Sequence, residues 1–517
     1  MRLIDFFDRA AELAPQRSFV QQGAVSRSYA ESRAATHRIA AALGRDGIAP
    51  GMCVGVYMPN DWRGLEAMFG LFRAGAVMVP VNVRNGLAQN AQILRDAGIR
   101  AIVFHSAFAA EVAEVRRVCP ELSLAVCLDR ATDDAPALPD WMAPAGTTAP
   151  EVPHDPQDLC TLYATSGTTG RSKSVRHTHL TNLVASMDML HALEVHGPVR
   201  NLVVAPMTHF AGTFIFALTV TGGTHILMDG PGPGEILAAI EAERAQVLFL
   251  PPTLIYRMLA DPALARHDYS SLHRFVYAAA PMAEDKLRDA VAAFGPVMSN
   301  FYGQAEALGP ISFLPPEDHA PDAVDADGTA RMASIGRPSI LRRVRVVDDT
   351  GAPVPPGTPG EVAVRSWGVT PGYEGNAEAT QAAFRDGWYR TGDIGVSDAE
   401  GYVTLVDRKS DMIVSGGFNV FPAEVERALL SHPDVLDAAV IGVPHPDWGE
   451  AVTAVVEPRP GAEIAPDTLI ALCKARLGSL KAPKTVEFRE RLPRNATGKV
   501  LRREIRAPYW AGRDRAI

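Results

Sequence analysis

The sequence predicts an α/β protein: a large N-terminal domain of parallel sheets with crossover helices, a small β-barrel-like part, and a small α+β C-terminal domain. Three observations carry this prediction. The 517 residues exceed what one ordinary core holds, so two or more domains are expected. From Met52 onward, short apolar runs alternate with helical stretches, the pattern of a parallel sheet with crossovers. Past Ile335 the texture turns β-rich, and the residues after 410 follow a pattern of their own.

The elements follow in order. "MRLIDFFDRAAELAPQ" sets acids among apolar residues and has no apolar stretch of signal-peptide type, so it reads as an amphipathic helix. "CVGVYMPN", "DWRGLEAMFGLFRAGA", "VMVPVN", "AQILRDAGI" and "AIVFHS" alternate strand and helix. The Pro/Ala-rich piece 133–155 reads as a surface connection. Leu202 to Met228 contains no Asp, Glu, Lys or Arg, a length that could cross a bilayer. The Gly222-Gly223 pair divides it, and it is expected to form a buried strand, loop and helix instead. "VLFLPP" (247–252) and "RFVYAAAP" (274–281) resume the strand pattern. "RRVRVVDD" and "GEVAVRSW" flank the turn "GAPVPPGTPG", which suggests an antiparallel sheet or small barrel appended to the α/β body. A junction near "VDRKSDM" (406–412) leads to helix "PAEVERALLSH", strands "DAAVIGVP" and "AVTAVVEP", helix "DTLIALCKARLG" and strand "TVEFRE".

Composition excludes several function classes. With 47% hydrophobic and 21% charged residues the chain is globular rather than disordered. A net charge of −9 gives no support for binding nucleic acid or an anionic membrane surface. Cys53, Cys119, Cys127, Cys160 and Cys473 are scattered, with no CxxC pair and no metal-ligand spacing, which fits a reducing cytoplasm.

The stretch "LYATSGTTGRSKSV" (162–175) crowds glycine and hydroxyl residues around Arg171 and Lys173. Backbone N–H groups freed by small residues form an anion-binding concavity, and Ser/Thr hydroxyls add donors, so phosphate is the ligand this loop suits. It is not a P-loop, because Ser172 stands where that motif needs Gly before Lys173. Taken alone, the loop could equally be a flexible Gly/Ser connection.

Four further stretches follow in order: "NFYGQAEA" (300–307), "WYRTGDIG" (388–395), "DRKSDMIVSGGFNVFPAEVE" (407–426) and "PRNATGKVLRRE" (493–504). With the glycine loop, this series resembles the adenylate-forming enzymes: acyl- and aryl-CoA synthetases, firefly-type luciferases and the adenylation domains of peptide synthetases. The resemblance covers nearly the whole chain. It implies an AMP-forming acid:CoA ligase that uses ATP, Mg²⁺ and CoA, built from an N-terminal AMP- and acyl-binding domain (1–409) and a mobile C-terminal domain (410–517).

The chemistry requires such groups. A carboxylate is a poor acylating agent until attack on the α-phosphorus of ATP turns it into an acyl-AMP, and charge developing on the phosphates must be neutralised. The resemblance assigns the triphosphate to Thr165, Ser166, Gly167, Thr168, Thr169, Gly170 and Lys173, and Mg²⁺ to Glu306. It assigns adenine to Tyr302 with Gly303, facing a wall of Ala279, Ala280 and Pro281. Asp393 and Arg408 would take the ribose, and Lys499 would reach the α-phosphate and carboxylate during adenylation. Ser410 matches the hinge, and Ser415, Gly416, Gly417 and Trp448 would meet CoA; for Trp448 a core position is an equal alternative. The chain departs from the usual pattern at Ser172 and Ser174, at Ala305, where Thr is common, and at Ser410, where many relatives carry Asp or Lys.

"APMTHFAGTFIF" (205–216) matches the acyl-pocket segment, and it lacks the Asp with which amino-acid-activating relatives hold an α-ammonium. An apolar acid is therefore expected, with fatty, alicyclic and aryl acids all open. His209 is expected to gate or line this pocket, and Phe210, Phe214, Ala278 and Phe301 to line it, although each aromatic suits a core equally well. Three rivals stand beside the ligase reading: transfer to a carrier-protein pantetheine, a luciferase-like oxygenase, and a silent nucleotide-binding fold. The last predicts erosion of Lys499, Glu306, Asp393 or Arg408, and all are present. The expected partners are the acid, ATP and CoA, with no nucleic acid and no membrane span; a homodimer is left open.

Overall fold

A computed structural model describes residues 1–165, 172–494 and 500–511. The chain folds as two compact units: Met1–Val344 with Val364–Tyr389, and Arg345–Ala363 with the described residues from Arg390 onward.

The first unit is built on two sheets. One runs in the order Leu124–Cys127, Ala101–Phe104, Cys53–Tyr57, Val77–Pro80, Leu159–Thr165, Lys173–Thr178, parallel except for the last pair. The other has nine strands, with Arg200–Val203, Val247–Leu250, Arg274–Ala278 and Met298–Gln304 among its parallel members. Val77–Pro80, Ala101–Phe104 and Val247–Leu250 are buried at every position, as strands covered on both faces must be. Hence they read as unbroken apolar runs rather than as alternating ones.

Two N-terminal helices show how the sequence places a helix, one by its apolar stripe and one by its cap. Leu3–Leu13 buries Leu3, Ile4, Phe6, Phe7, Ala10 and Ala11 at helical spacing, the amphipathic helix expected. Tyr29–Arg45 starts on a capping box, with Ser28 accepting from the Glu31 N–H and Glu31 accepting from the Ser28 N–H. The uncharged stretch from 202 to 228 splits as expected, into the end of one strand, helix Phe210–Thr219 and strand Thr224–Leu227, with Gly222 at φ +75 turning the chain between the last two. Among the described residues no helix is long and apolar enough to cross a membrane.

In the second unit the β-rich stretch forms a sheet ordered Arg343–Val347, Gly360–Arg365, Trp388–Ser397, with Val403–Arg408 antiparallel to the last. Most of this sheet belongs with the C-terminal chain rather than with the α/β body to which the sequence pattern attached it. A second sheet pairs Val435–His445 with Gly449–Pro458 antiparallel and adds Thr485–Phe488 in parallel. Helices Pro422–Leu430 and Pro466–Lys481 cover it, and Val425, Leu429, Leu469 and Cys473 are buried in its core.

Candidate active site

Two neighbouring parallel strands end together in the first unit. Ala278 of Arg274–Ala278 pairs with Phe301 of Met298–Gln304, so Ala279, Ala280 and Pro281 leave one strand where Tyr302 and Gly303 extend the other. Ligands of parallel sheets bind beyond such carboxyl ends. Ala279 is held at φ +72, a left-handed conformation uncommon for a residue with a Cβ, and the three residues 279–281 are exposed. Tyr302 is buried. Gly303 has a packing reason to be glycine: a Cβ there would lie 2.6 Å from the Gly309 carbonyl oxygen on the returning strand. A tight turn, Ala305-Glu306, then connects Gln304 to its antiparallel partner Ala307 and puts Glu306 at the tip.

That tip is tied down from several sides. The Tyr373 hydroxyl donates to Glu306 Oε1 at 2.9 Å, and the Thr370 N–H donates to the Glu306 carbonyl at 2.7 Å. His177 Nε2 lies 2.7 Å from the Ala305 carbonyl oxygen, which makes that nitrogen the N–H donor. Burial pushes the His177 pKa down to about 4, so the ring holds the turn as a neutral group. Tyr389 donates to Gln304 Oε1 at 2.8 Å.

The two strands that flank residues 166–171 arrive beside this turn. Thr165 and Lys173 face each other across an antiparallel pair, and the Thr165 hydroxyl donates to the Lys173 carbonyl at 3.4 Å. Segment 370–374 runs along the second strand, with the Arg176 N–H donating to Gly372 O at 3.1 Å and the Glu374 N–H to Ser174 O at 2.8 Å. This brings Lys173 Nζ to 4.9 Å from the Tyr373 ring centroid. Lys173 and Glu306, far apart in sequence, thus meet at Tyr373, with Thr165 paired beside Lys173. Ser166, Gly167, Thr168, Thr169, Gly170 and Lys499 lie outside the described residues.

Among the described residues no group of three or more His, Cys, Asp or Glu side chains could hold a metal ion. Glu306 offers a single carboxylate with one oxygen engaged by a phenol. That donor set suits a hard cation drawing its other ligands from phosphate oxygens and water, which is how Mg²⁺ binds nucleotides.

His209 is the residue that precedes helix Phe210–Thr219, and its side chain makes no capping bond to it. Its Nδ1 lies 3.0 Å from the Thr208 hydroxyl, and burial lowers its pKa to about 4, so it is neutral at pH 7. Phe214 and Phe301, both 1% exposed, stack at 5.9 Å, and Phe249 stacks on Phe214 at 5.4 Å. These three rings and Ala278 belong to the main core. Phe210 is half-buried at the edge of the cluster, with His209 beside it, so these two are the members nearest solvent.

In the second unit, Asp393 and Arg408 are paired residues of adjacent antiparallel strands, and Arg408 Nε lies 2.7 Å from Asp393 Oδ1. The Asp393 side chain is buried while that of Arg408 is half-exposed. Gly392, at φ +71, turns the chain into Asp393, and its N–H is held by Glu361 Oε1 at 3.1 Å. Ser410 is exposed in the turn that follows Arg408. Ser415 ends a strand, and Gly416 and Gly417, at φ +59 and +81, form the hairpin turn that favours left-handed residues at both positions. The Gly416 N–H donates to Trp448 O at 2.9 Å. Trp448 is not a core residue: it is 39% exposed, stacked on His445 at 4.2 Å and capped by Lys484 Nζ at 5.3 Å from its centroid.

The sequence profile described as "AMP-binding enzyme" matches residues 7–374, and that of its C-terminal domain matches residues 424–499. The chain belongs to the AMP-binding enzyme family. Similar members include a feruloyl-CoA synthase from an Amycolatopsis species, 36% identical over 503 residues that cover 97% of this chain and 98% of the relative. A medium/long-chain-fatty-acid–CoA ligase of Mycobacterium tuberculosis is 32% identical over 489 residues, 91% of this chain and 84% of the other. The solved structure of an amide bond synthetase from Marinactinospora thermotolerans superimposes with a TM-score of 0.88 at 32% identity, covering 98% of this chain and 99% of its own.

Within this AMP-binding enzyme, three side chains have roles that motif reading did not reach. Tyr373 sits in "TPGYEG", between the quoted motifs, and Tyr389 inside one of them; only the folded path of 370–389 brings their hydroxyls to the Glu306 turn. Arg502, inside the last quoted stretch but given no role there, enters a cluster of three carboxylates. Its guanidinium lies 3.1 Å from Asp411 and 3.7 Å from Asp407, and it bonds both oxygens of Glu426. Burial pushes the Asp407 and Glu426 carboxyls up, against the pull of Arg502.

Proposed function

We propose that this AMP-binding enzyme is a carboxylic acid:CoA ligase that converts a hydrophobic acid and ATP to acyl-AMP and pyrophosphate, then transfers the acyl group to the CoA thiol with release of AMP. The observation that carries this reading is the meeting of Lys173 and Glu306 at Tyr373, in a chain whose relatives include CoA ligases matched over most of their length.

In the first step the acid's carboxylate attacks the α-phosphorus and pyrophosphate leaves. The loop from Thr165 to Lys173 binds the departing phosphates through N–H groups, hydroxyls and the Lys173 ammonium. Glu306 would hold Mg²⁺, which when bound neutralises phosphate charge. Tyr302 and the exposed backbone of 279–281 bind adenine, and Asp393 with Arg408 takes the ribose hydroxyls. Lys499 brings its cation to the α-phosphate and carboxylate. In the second step the segment after hinge Ser410 withdraws Lys499 and presents Ser415, Gly416, Gly417 and Trp448 to CoA, so one chain serves both half-reactions. A tryptophan 39% exposed suits a contact with CoA better than a core role does.

The acid is apolar. Between Ala205 and Phe216 there is no acidic residue to hold an ammonium, and the half-buried rim is Phe210 beside a neutral His209. The protein works in the cytoplasm, in keeping with a net charge of −9 and with free thiols at all five cysteines.

The test is mass spectrometry of the purified protein with ATP, Mg²⁺, CoA and a panel of aryl, fatty and alicyclic acids, headed by ferulic acid. The expected result is thioester and AMP in equal amount from one class. Acyl-AMP without thioester would shift the acceptor to a carrier protein or an amine, and no product from any acid would overturn the proposal.

A further inference from the structure

Tyr373 stands between Glu306 and Lys173 and has no place in the reaction as set out above. It is buried, its hydroxyl is spent on Glu306 Oε1 at 2.9 Å, and one ring face receives Lys173 Nζ at 4.9 Å. Its backbone is fixed independently, by a bridge to Val175 and by the Thr380 hydroxyl, which lies 3.0 Å from the Tyr373 N–H. A phenol placed so rigidly controls the carboxylate it touches in two ways. It restricts Glu306 to one orientation, and it occupies one of the two oxygens through which a carboxylate could chelate a metal.

We infer that Tyr373 is a positioning residue that holds Glu306 for one-oxygen coordination of the nucleotide-bound divalent cation and, through its ring, holds Lys173 where the phosphates arrive. The inference rests on the proposed role of Glu306 and goes beyond it by naming what sets the geometry. A neutral donor is the appropriate support, because it orients the carboxylate without cancelling the charge that a cation needs. An arginine in its place would orient Glu306 equally well and compete with the metal. The ring does the corresponding service for Lys173: a cation–π contact orients the ammonium while leaving it charged for phosphate.

The test uses Mn²⁺ as the metal probe, read by electron paramagnetic resonance on the full-length protein with a non-hydrolysable ATP analogue, alongside analogue binding without metal and a thermal melt. Tyr373→Phe keeps the ring and removes the donor. Its Mn²⁺ affinity should fall about tenfold or more, the usual effect of losing a group that orients a metal ligand, with metal-free analogue binding unchanged. Tyr373→Leu should weaken metal-free binding as well, because Lys173 loses its ring. 4-Aminophenylalanine at 373 retains a donor in the same place and should hold Mn²⁺ within about twofold of the unmodified protein if the donor is what matters. Glu306→Gln separates the layers. If it leaves Mn²⁺ binding unchanged, the role given to Glu306 fails and this inference falls with it. If it weakens binding while Tyr373→Phe does not, or if 4-aminophenylalanine binds metal as poorly as phenylalanine, Tyr373 is only a packing residue and the inference alone is overturned.

Discussion

Glu306 and Asp393 are both carboxylates presented by antiparallel β pairs, yet they are supported in opposite ways. Glu306 is held by the neutral hydroxyl of Tyr373, whereas Asp393 is held by the guanidinium of Arg408 at 2.7 Å. A carboxylate oriented by a phenol keeps its full negative charge; one paired with arginine is largely neutralised and serves better as an acceptor of neutral hydroxyls. The difference matches the proposed division of labour, a metal ion at Glu306 and a ribose at Asp393. Local support, more than residue type, tells the two acids apart.

The comparison can be broken most severely at Glu306. Glu306→Gln keeps the shape and removes the charge, and is expected to cut acid-dependent ATP turnover about 100-fold or more, with Mg²⁺ titration shifted to higher concentration. An unchanged Mg²⁺ dependence would remove the distinction. Next in size is Arg502, where a cation among three carboxylates, Asp407 the most buried of them, shows what happens when support by charge is withdrawn. Arg502→Met should destabilise the second unit by about 3 kcal/mol, read by chemical denaturation, because Asp407, Asp411 and Glu426 are left facing one another.

Arg408→Ala should raise the KM for ATP about tenfold, or 1.4 kcal/mol, while the Mg²⁺ dependence stays as in the unmodified protein. A shift in metal dependence instead would make the two carboxylates equivalent. Acid sensitivity sharpens the picture in the first unit. Burial lowers the pKa of His177, His179, His209 and His319 to about 4 and of His225 to about 3. Each is neutral when folded and would take up a proton on unfolding below its ordinary value of 6.5, so their stabilising effect is complete above that pH and is lost as pH falls toward 4. His225→Gln should flatten the fall of stability with pH by about 1.4 kcal/mol per pH unit in that window, measured by denaturant titration from pH 7 to 4.5. The smallest effect is expected at Ala279, whose φ of +72 glycine would adopt freely; relief of strain and added freedom of the unfolded chain nearly cancel, so Ala279→Gly should change stability by less than about 1 kcal/mol.

Much of the fold was legible in the sequence because parallel strands buried on both faces leave unbroken apolar runs such as "VMVPV" and "VLFL". The Gly222-Gly223 break likewise distinguished core elements from a membrane span. The sheet around 343–408 was harder, since its partition between compact units depends on which strands it pairs with and not on composition. Motif order singled out Lys173, Glu306, Asp393 and Arg408 as candidates, but Tyr373 escaped because a lone tyrosine in a glycine-flanked turn has no local signature. Phe214 and Phe301 were equally ambiguous between pocket and core, and only their stacking beneath the half-buried Phe210 ranks them.

The most direct measurement is exchange of labelled pyrophosphate into ATP with a substrate acid present and CoA withheld. The account predicts acid-dependent exchange without CoA, and AMP with thioester only once CoA is added, because acyl-AMP forms reversibly in a separate first step. No exchange until CoA is supplied, or ADP in place of AMP, would contradict it.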